Sequence, residues 1–238
     1  NKFKNYTTNI DGIKIHFIKK KGSSENSEPL LLMHGWPGSI IEFLNIIEKL
    51  AHPEKFGGNE KDSFDVIVPS LPGFGFSGSP SKPMGPRKMA EILNKLMIEN
   101  LGYKNYMAQG GDWGATIANW LGYDHSNFCK AIHINCLTMR HPEGPQSDEE
   151  RNWQKKFNED QIMQEGYRTQ QATKPQSLGY GMMDSPVGIA AWIIEKMHSW
   201  SDLKNNDIES VYSKDILLAN IMIYILTKTF DTASWIYF

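Results

Sequence analysis

Residues 105–123, NYMAQGGDWGATIANWLGY, set a short apolar run against an amphipathic one, with two glycines at the joint and an aspartate just past them. Residues 105–109 read as a strand, and residues 115–123, with apolar positions three and four apart, read as a helix. Between them, Gly110-Gly111-Asp112-Trp113-Gly114-Ala115 must turn the chain sharply. A strand-to-helix turn tight enough to hold a side chain at its tip leaves no space for neighbouring Cβ atoms, which is what flanking glycine supplies. Alone, the same residues also suit an ordinary Gly-rich turn with an aspartate capping a helix.

The alternation continues outward. Apolar or β-branched runs at 13–18, 30–34, 64–69 and 130–135 join 105–109 as expected strands, and 40–50 and 89–101 join 115–123 as expected helices. Crossovers of this length connect parallel strands, so the first half is expected to be a mostly parallel sheet flanked by helices, an α/β fold. After Asn135 the character changes. Residues 141–153 are polar and contain proline, and 148–167, 187–200 and 215–229 carry helical periodicity with no further clear strand. Ser185 as cap and Pro186 at the first helical position open the second of these. The expected organisation is a core over 1–138 and an inserted helical lid over 139–238. Residues 19–28 and 57–63 read as polar loops.

Composition narrows the classes. The 238 residues are 40% hydrophobic and 22% charged, enough apolar material for a sizeable core and unlike a charge-dominated unfolded chain. Lys+Arg number 25 against 27 Asp+Glu, so no basic excess is present to neutralise a nucleic-acid backbone. Cys129 and Cys136, without a partner cluster, read as small buried apolar residues, and neither a metal nor a cofactor is indicated. The longest uncharged apolar run, 216–227, has 12 residues, short of the roughly 20 a membrane span needs. The first residue is Asn1, and no signal-peptide pattern opens the chain. The expected location is the cytoplasm, with membrane anchoring upstream left open and a homodimer as the assembly considered.

Upstream of the turn lies His34-Gly35-Trp36-Pro37-Gly38, directly after an apolar strand. Backbone amides of Trp36 and Trp113 would then converge as an oxyanion hole, a device worth about 10²- to 10³-fold in rate for a single donor. A Gly-Pro loop ending a strand is the plainer reading of the same residues. The joint occurrence of the two motifs in this order favours the hole.

With HGWPGS at 34–39, PSLPGFGFSG at 69–78, GGDWGA at 110–115 and EGYRTQQATKPQSLGYGMMDSPVGIAAWIIEKMHSWSD at 165–202, the sequence resembles the epoxide hydrolases of the α/β-hydrolase fold. The resemblance is greatest to the microsomal-type branch that includes the juvenile hormone epoxide hydrolases, and it covers essentially the whole chain. HGWP and GDWG also recur in haloalkane dehalogenases, whereas the lid segment is specific to this branch. The resemblance implies Asp112 as nucleophile. A carboxylate, with a reference pKa near 3.9, is ionised at neutral pH and needs no base to attack an epoxide carbon. The departing oxygen needs a proton donor, and a phenol with a pKa of roughly 10 is one. By position, the two lid tyrosines of the family correspond to Tyr167 and Tyr237. Tyr180, Tyr212 and Tyr224 are expected to be packing residues.

The resemblance also implies a water-activating histidine and an acidic partner after the lid. None of His16, His34, His52, His125, His133, His141 and His198 stands there. The chain is therefore expected to be a fragment of the family's architecture, shortened at both ends and lacking the last strands. The expected partners are water and a small apolar epoxide, on the strength of Met182, Met183, Trp192, Ile193 and Trp200 in the lid.

Three other readings compete. Gly73-Phe74-Gly75-Phe76-Ser77-Gly78 matches a dinucleotide-binding pattern, yet Pro80, Pro83 and Pro86 follow where a helix should begin. A haloalkane dehalogenase would share Asp112 and Trp113 but stabilise a halide with N–H groups. A catalytically incomplete hydrolase-like remnant is the third.

Overall fold

The computed structural model describes residues 3–136 and 141–238. Six strands, β1 (Asn5–Ile10), β2 (Ile13–Lys20), β3 (Glu28–Met33), β4 (Phe64–Pro69), β5 (Tyr106–Gly110) and β6 (Cys129–Ile134), form one sheet in the order β1-β2-β4-β3-β5-β6. The β4-β3-β5-β6 portion is parallel, as expected for crossovers through helices. The N-terminal pair is antiparallel and adds to β4 antiparallel. Strand β1 was not expected: its sequence, NYTTNI, is polar and largely exposed. Asp11 and Gly12, with φ of 51° and 81°, make the two-residue turn that sets its register on β2.

The central strands are buried on both faces, which is why they read as continuous apolar runs. On β3, Leu31 and Met33 join the core beneath α2 (Pro86–Lys95) and α3 (Trp113–Asp124), while Leu30 and Leu32 face Ile40, Phe43 and Ile47 on the other side. The expected helix over 40–50 is divided into a 3₁₀ turn, Ile40–Phe43, and a short α-helix, α1 (Ile47–Ala51). The expected helix over 89–101 starts earlier, with Pro86 in its first turn, and ends in a π turn over Leu96–Asn100.

Beyond the sheet the chain is helical. Helices α4 (Asp148–Gln164), α5 (Gly166–Thr173), α6 (Pro175–Met182), α7 (Pro186–Ser199), α8 (Lys214–Thr227) and α9 (Phe230–Ser234) follow, in the stretch expected as the lid. The expected 148–167 helix breaks at Glu165, so Tyr167 belongs to α5. Ser185 caps α7 as read, its Oγ accepting from the Gly188 amide at 3.1 Å. The expected boundary between core and lid at 138 and 139 lies outside the described residues.

Cys129 is buried, but Cys136, expected to be buried as well, is only partly so, because it follows β6 at the edge of the sheet. Among the described residues no single helix is long and apolar enough to cross a membrane; α8 with residues 230–237 passes that test only as a pair bent by 107°.

Candidate active site

Parallel neighbours β3 and β5 end side by side, with Met33 opposite Gly110, so the loops leaving their carboxyl ends converge. The loop after β5 is the expected elbow. Asp112 lies between strand and helix at φ 50°, ψ −126°, a backbone region that side chains rarely occupy, and α3 begins at the next residue. A Cβ on Gly114 would strike the Met33 carbonyl, and one on Gly35 would strike the Asp112 side chain. Glycine is thus required by close approach on both sides of Asp112.

The loop after β3 supplies the donors. The Trp36 amide donates to Asp112 Oδ1 at 2.8 Å, and the Trp113 amide also hydrogen-bonds the carboxylate. Asp112 is an exposed residue set among protein atoms at the mouth of the turn. The surrounding protein lifts its pKa above the usual carboxylate value, and the two amides pull it back. His34 is fully enclosed and neutral, its pKa pushed down to about 4 by burial. Its Nε2 accepts from the Leu71 amide at 3.2 Å, leaving Nδ1 as donor to the Gly35 carbonyl at 3.0 Å. It is a strut for the loop.

The lid brings two phenols to this point. Tyr167 on α5 and Tyr237 in the last turn hydrogen-bond to each other, with ring centroids 5.7 Å apart. The Trp36 indole stacks on Tyr167 at 5.2 Å, and Tyr237 stands edge-on to Trp36 and Trp113 at 5.7 and 4.9 Å. Burial raises both phenol pKa values, and the Asp112 charge adds to the rise. Both rings therefore carry their protons at neutral pH. Asp112, Trp36, Trp113, Tyr167 and Tyr237, named from sequence, meet in one place.

The remaining tyrosines lie elsewhere. Tyr180 is exposed and accepts from Gln176, and Tyr212 pairs with Ser201. Tyr224 is buried and does more than fill space: its hydroxyl donates to the Gly38 carbonyl at 2.6 Å. One turn earlier on α8, Asn220 donates to the Pro37 carbonyl at 2.8 Å and accepts from Ser39 Oγ at 2.7 Å. The lid thereby grips the loop that carries the Trp36 amide. The Gly73–Gly78 loop is likewise a seat for the lid, with the Gly75 amide donating to Thr229 and the Gly73 carbonyl accepting from Thr232.

Glu42 was missed by sequence reasoning. It borders an open cavity of ≈ 580 Å³ on the sheet face, and its carboxyl is pushed up to about 8, first by the protein around it and then by the Asp112 charge. Its one signal is that it is the single charged residue in a largely apolar stretch, IIEFLNII. Among the described residues no imidazole hydrogen-bonds Asp112: His16 is held by Ser70 and Asn5, and His133 is exposed on β6. No cluster of three His, Cys, Asp or Glu side chains among them is arranged for a metal ion.

Comparisons with known proteins agree with this architecture. A family described as alpha/beta hydrolase fold matches residues 28–178, and one described as epoxide hydrolase N terminus matches residues 1–43. A Stigmatella aurantiaca protein bearing an epoxide hydrolase name is 42% identical over 241 residues, covering 100% of this chain and 54% of its own length. Epoxide hydrolase 1 of Sus scrofa is 35% identical, covering 100% of this chain and 58% of its own. The crystal structure of juvenile hormone epoxide hydrolase from the silkworm Bombyx mori superposes with a TM-score of 0.87 at 31% identity, over 99% of this chain and 60% of that one. The chain spans little more than half the length of the curated relatives it matches.

Proposed function

The chain belongs to the α/β-hydrolase family, where its relatives are epoxide hydrolases, and on that premise we propose that it opens epoxides toward vicinal diols through a covalent ester on Asp112. The observation that carries this reading is a carboxylate pinned by two backbone amides beneath a hydrogen-bonded pair of protonated phenols. The carboxylate attacks one epoxide carbon, the carbon–oxygen bond breaks, and Tyr167 and Tyr237 supply the proton that the departing oxygen takes up. In the ester, the Asp112 oxygen held by Trp36 becomes the carbonyl oxygen. The Trp36 amide is then aimed at the negative charge it gains when water adds, with the Trp113 amide on the same carboxyl group.

Water addition needs a base. Among the described residues no histidine hydrogen-bonds Asp112, and these 238 residues by themselves are expected to accumulate ester and turn over slowly. The substrate class is an apolar or aromatic epoxide, in keeping with the rings of Trp36, Trp113 and Trp200 around the phenols. A core over 1–138 and a lid over 139–238 remain the proposed domains.

The haloalkane dehalogenase reading has one observation in its favour: the buried Trp36 indole N–H has no partner among the described residues and could face a halide. The phenol pair favours the epoxide. The test is mass spectrometry of the chain after exposure to styrene oxide, and separately to an alkyl bromide. An adduct on the Asp112 peptide from styrene oxide, absent in Asp112→Asn, is the expected result. Halide release from the bromide with no styrene oxide adduct would reverse the assignment.

A further inference from the structure

Lys196, on α7, is buried to 4% exposure, and its ammonium lies 5.0 Å from the centre of the Tyr167 ring and 6.0 Å from that of Trp200. Lysine ordinarily extends its charge into water, because an enclosed ammonium loses hydration that aromatic faces only partly replace. Here the stem leads the charge inward, onto the face of a ring already named as a proton donor. Its carboxylate partner is the adjacent Glu195, at 2.8 Å and half exposed, so the pair reaches solvent on one side only.

We propose that Lys196 is a positioning residue for Tyr167, holding a positive charge over the phenol so that the ring's negative charge is stabilised as it yields its proton to the opening epoxide. This rests on the epoxide-opening reading above. In that step the Asp112 oxygen bonds to carbon, the epoxide carbon–oxygen bond breaks, and the proton passes from the Tyr167 hydroxyl to the freed oxygen. Negative charge therefore moves from the Asp112 carboxylate to the phenol, toward Lys196. A cation attracted to a neutral ring is attracted more strongly to an anionic one, so the interaction favours the transition state over the ground state. The other charged or titratable groups that act on Tyr167 are Asp112 from the elbow, Tyr237 from the last turn, and Arg168 and Glu165 from its own helix region. Of these, Arg168 is exposed and paired with Glu165.

The test is single-turnover ester formation on the full chain with styrene oxide, followed by quenching of tryptophan fluorescence. Lys196→Met is expected to slow ester formation about tenfold with little change in substrate affinity, and Lys196→Arg to recover most of the rate. In a Tyr167→Phe background Lys196→Met is expected to cost less than about twofold, because the residue acts through the phenol. Lys196→Gln is measured in place of methionine if circular dichroism shows the latter misfolded. An unchanged rate in Lys196→Met, the same loss in the Tyr167→Phe background, or no recovery with arginine each overturns the proposal. Full-speed ester formation by Tyr167→Phe would instead strike at the underlying assignment of the acid.

Discussion

The indole of Trp36 lies flat against the phenol of Tyr167, with ring centroids 5.2 Å apart and planes 7° from parallel. The same residue donates its backbone amide to Asp112. One residue of the core thus sets both the orientation of the Asp112 carboxylate and the seat of the Tyr167 phenol. Trp36→Ala keeps the amide and removes the platform. It is expected to cost about 3–5 kcal/mol of stability in urea denaturation and to slow ester formation. A variant with unchanged stability would show that the ring does not carry the lid.

On the proposed mechanism Asp112 forms the ester, so Asp112→Asn is expected to lower ester formation by about 10⁴-fold or more. The amide oxygen of asparagine can still accept from Trp36, so the melting temperature is expected to stay close to that of the parent. Residual adduct on this peptide after styrene oxide treatment would argue for another nucleophile.

Tyr167→Phe and Tyr237→Phe are each expected to slow ester formation by about 10²-fold, and the double variant by no more than about 10⁴-fold, the range of general acid assistance. Because the two hydroxyls share a hydrogen bond, the double loss should fall short of the product of the single ones. Rapid-quench measurement of the adduct distinguishes this from two independent contributions.

The carboxyl of Glu42 is raised to about 8, whereas an unfolded chain releases that proton near the ordinary value of about 4.3. Between those values the folded state binds more protons than the unfolded one, so stability falls as pH rises through this window and levels off above it. Glu42→Gln stays neutral throughout. Its urea midpoint is expected to decline less than that of the parent between about pH 5 and pH 8, and identical slopes would contradict the assignment.

Tyr224→Phe leaves the Gly38 carbonyl without its lid donor, a loss of about 1–3 kcal/mol when the acceptor stays dry. The effect should reach the chemistry as well, through the amide two residues away. A drop in stability with no change in the ester rate would show that the loop keeps its shape unaided.

The elbow was readable because its constraint is local: three glycines and one aspartate in five residues, at the junction of a strand and a helix, leave few alternatives. Tyr167 and Tyr237 came from a resemblance, since nothing in the periodicity of the lid distinguishes them from Tyr224. What escaped notice depends on distance along the chain. Asn220 meets a carbonyl 183 positions away, and Glu42 acquires its meaning only when the turn after β3 folds back beside Asp112. Strand β1 escaped for a different reason: it is polar, and pairing with β2 makes it a strand.

The grip of α8 on the Pro37 and Gly38 carbonyls limits how reactants can come and go. Raising that helix would slacken the loop that tethers the Asp112 carboxylate. Helix α4 has no fully buried residue, so its displacement would leave the tether on Asp112 in place.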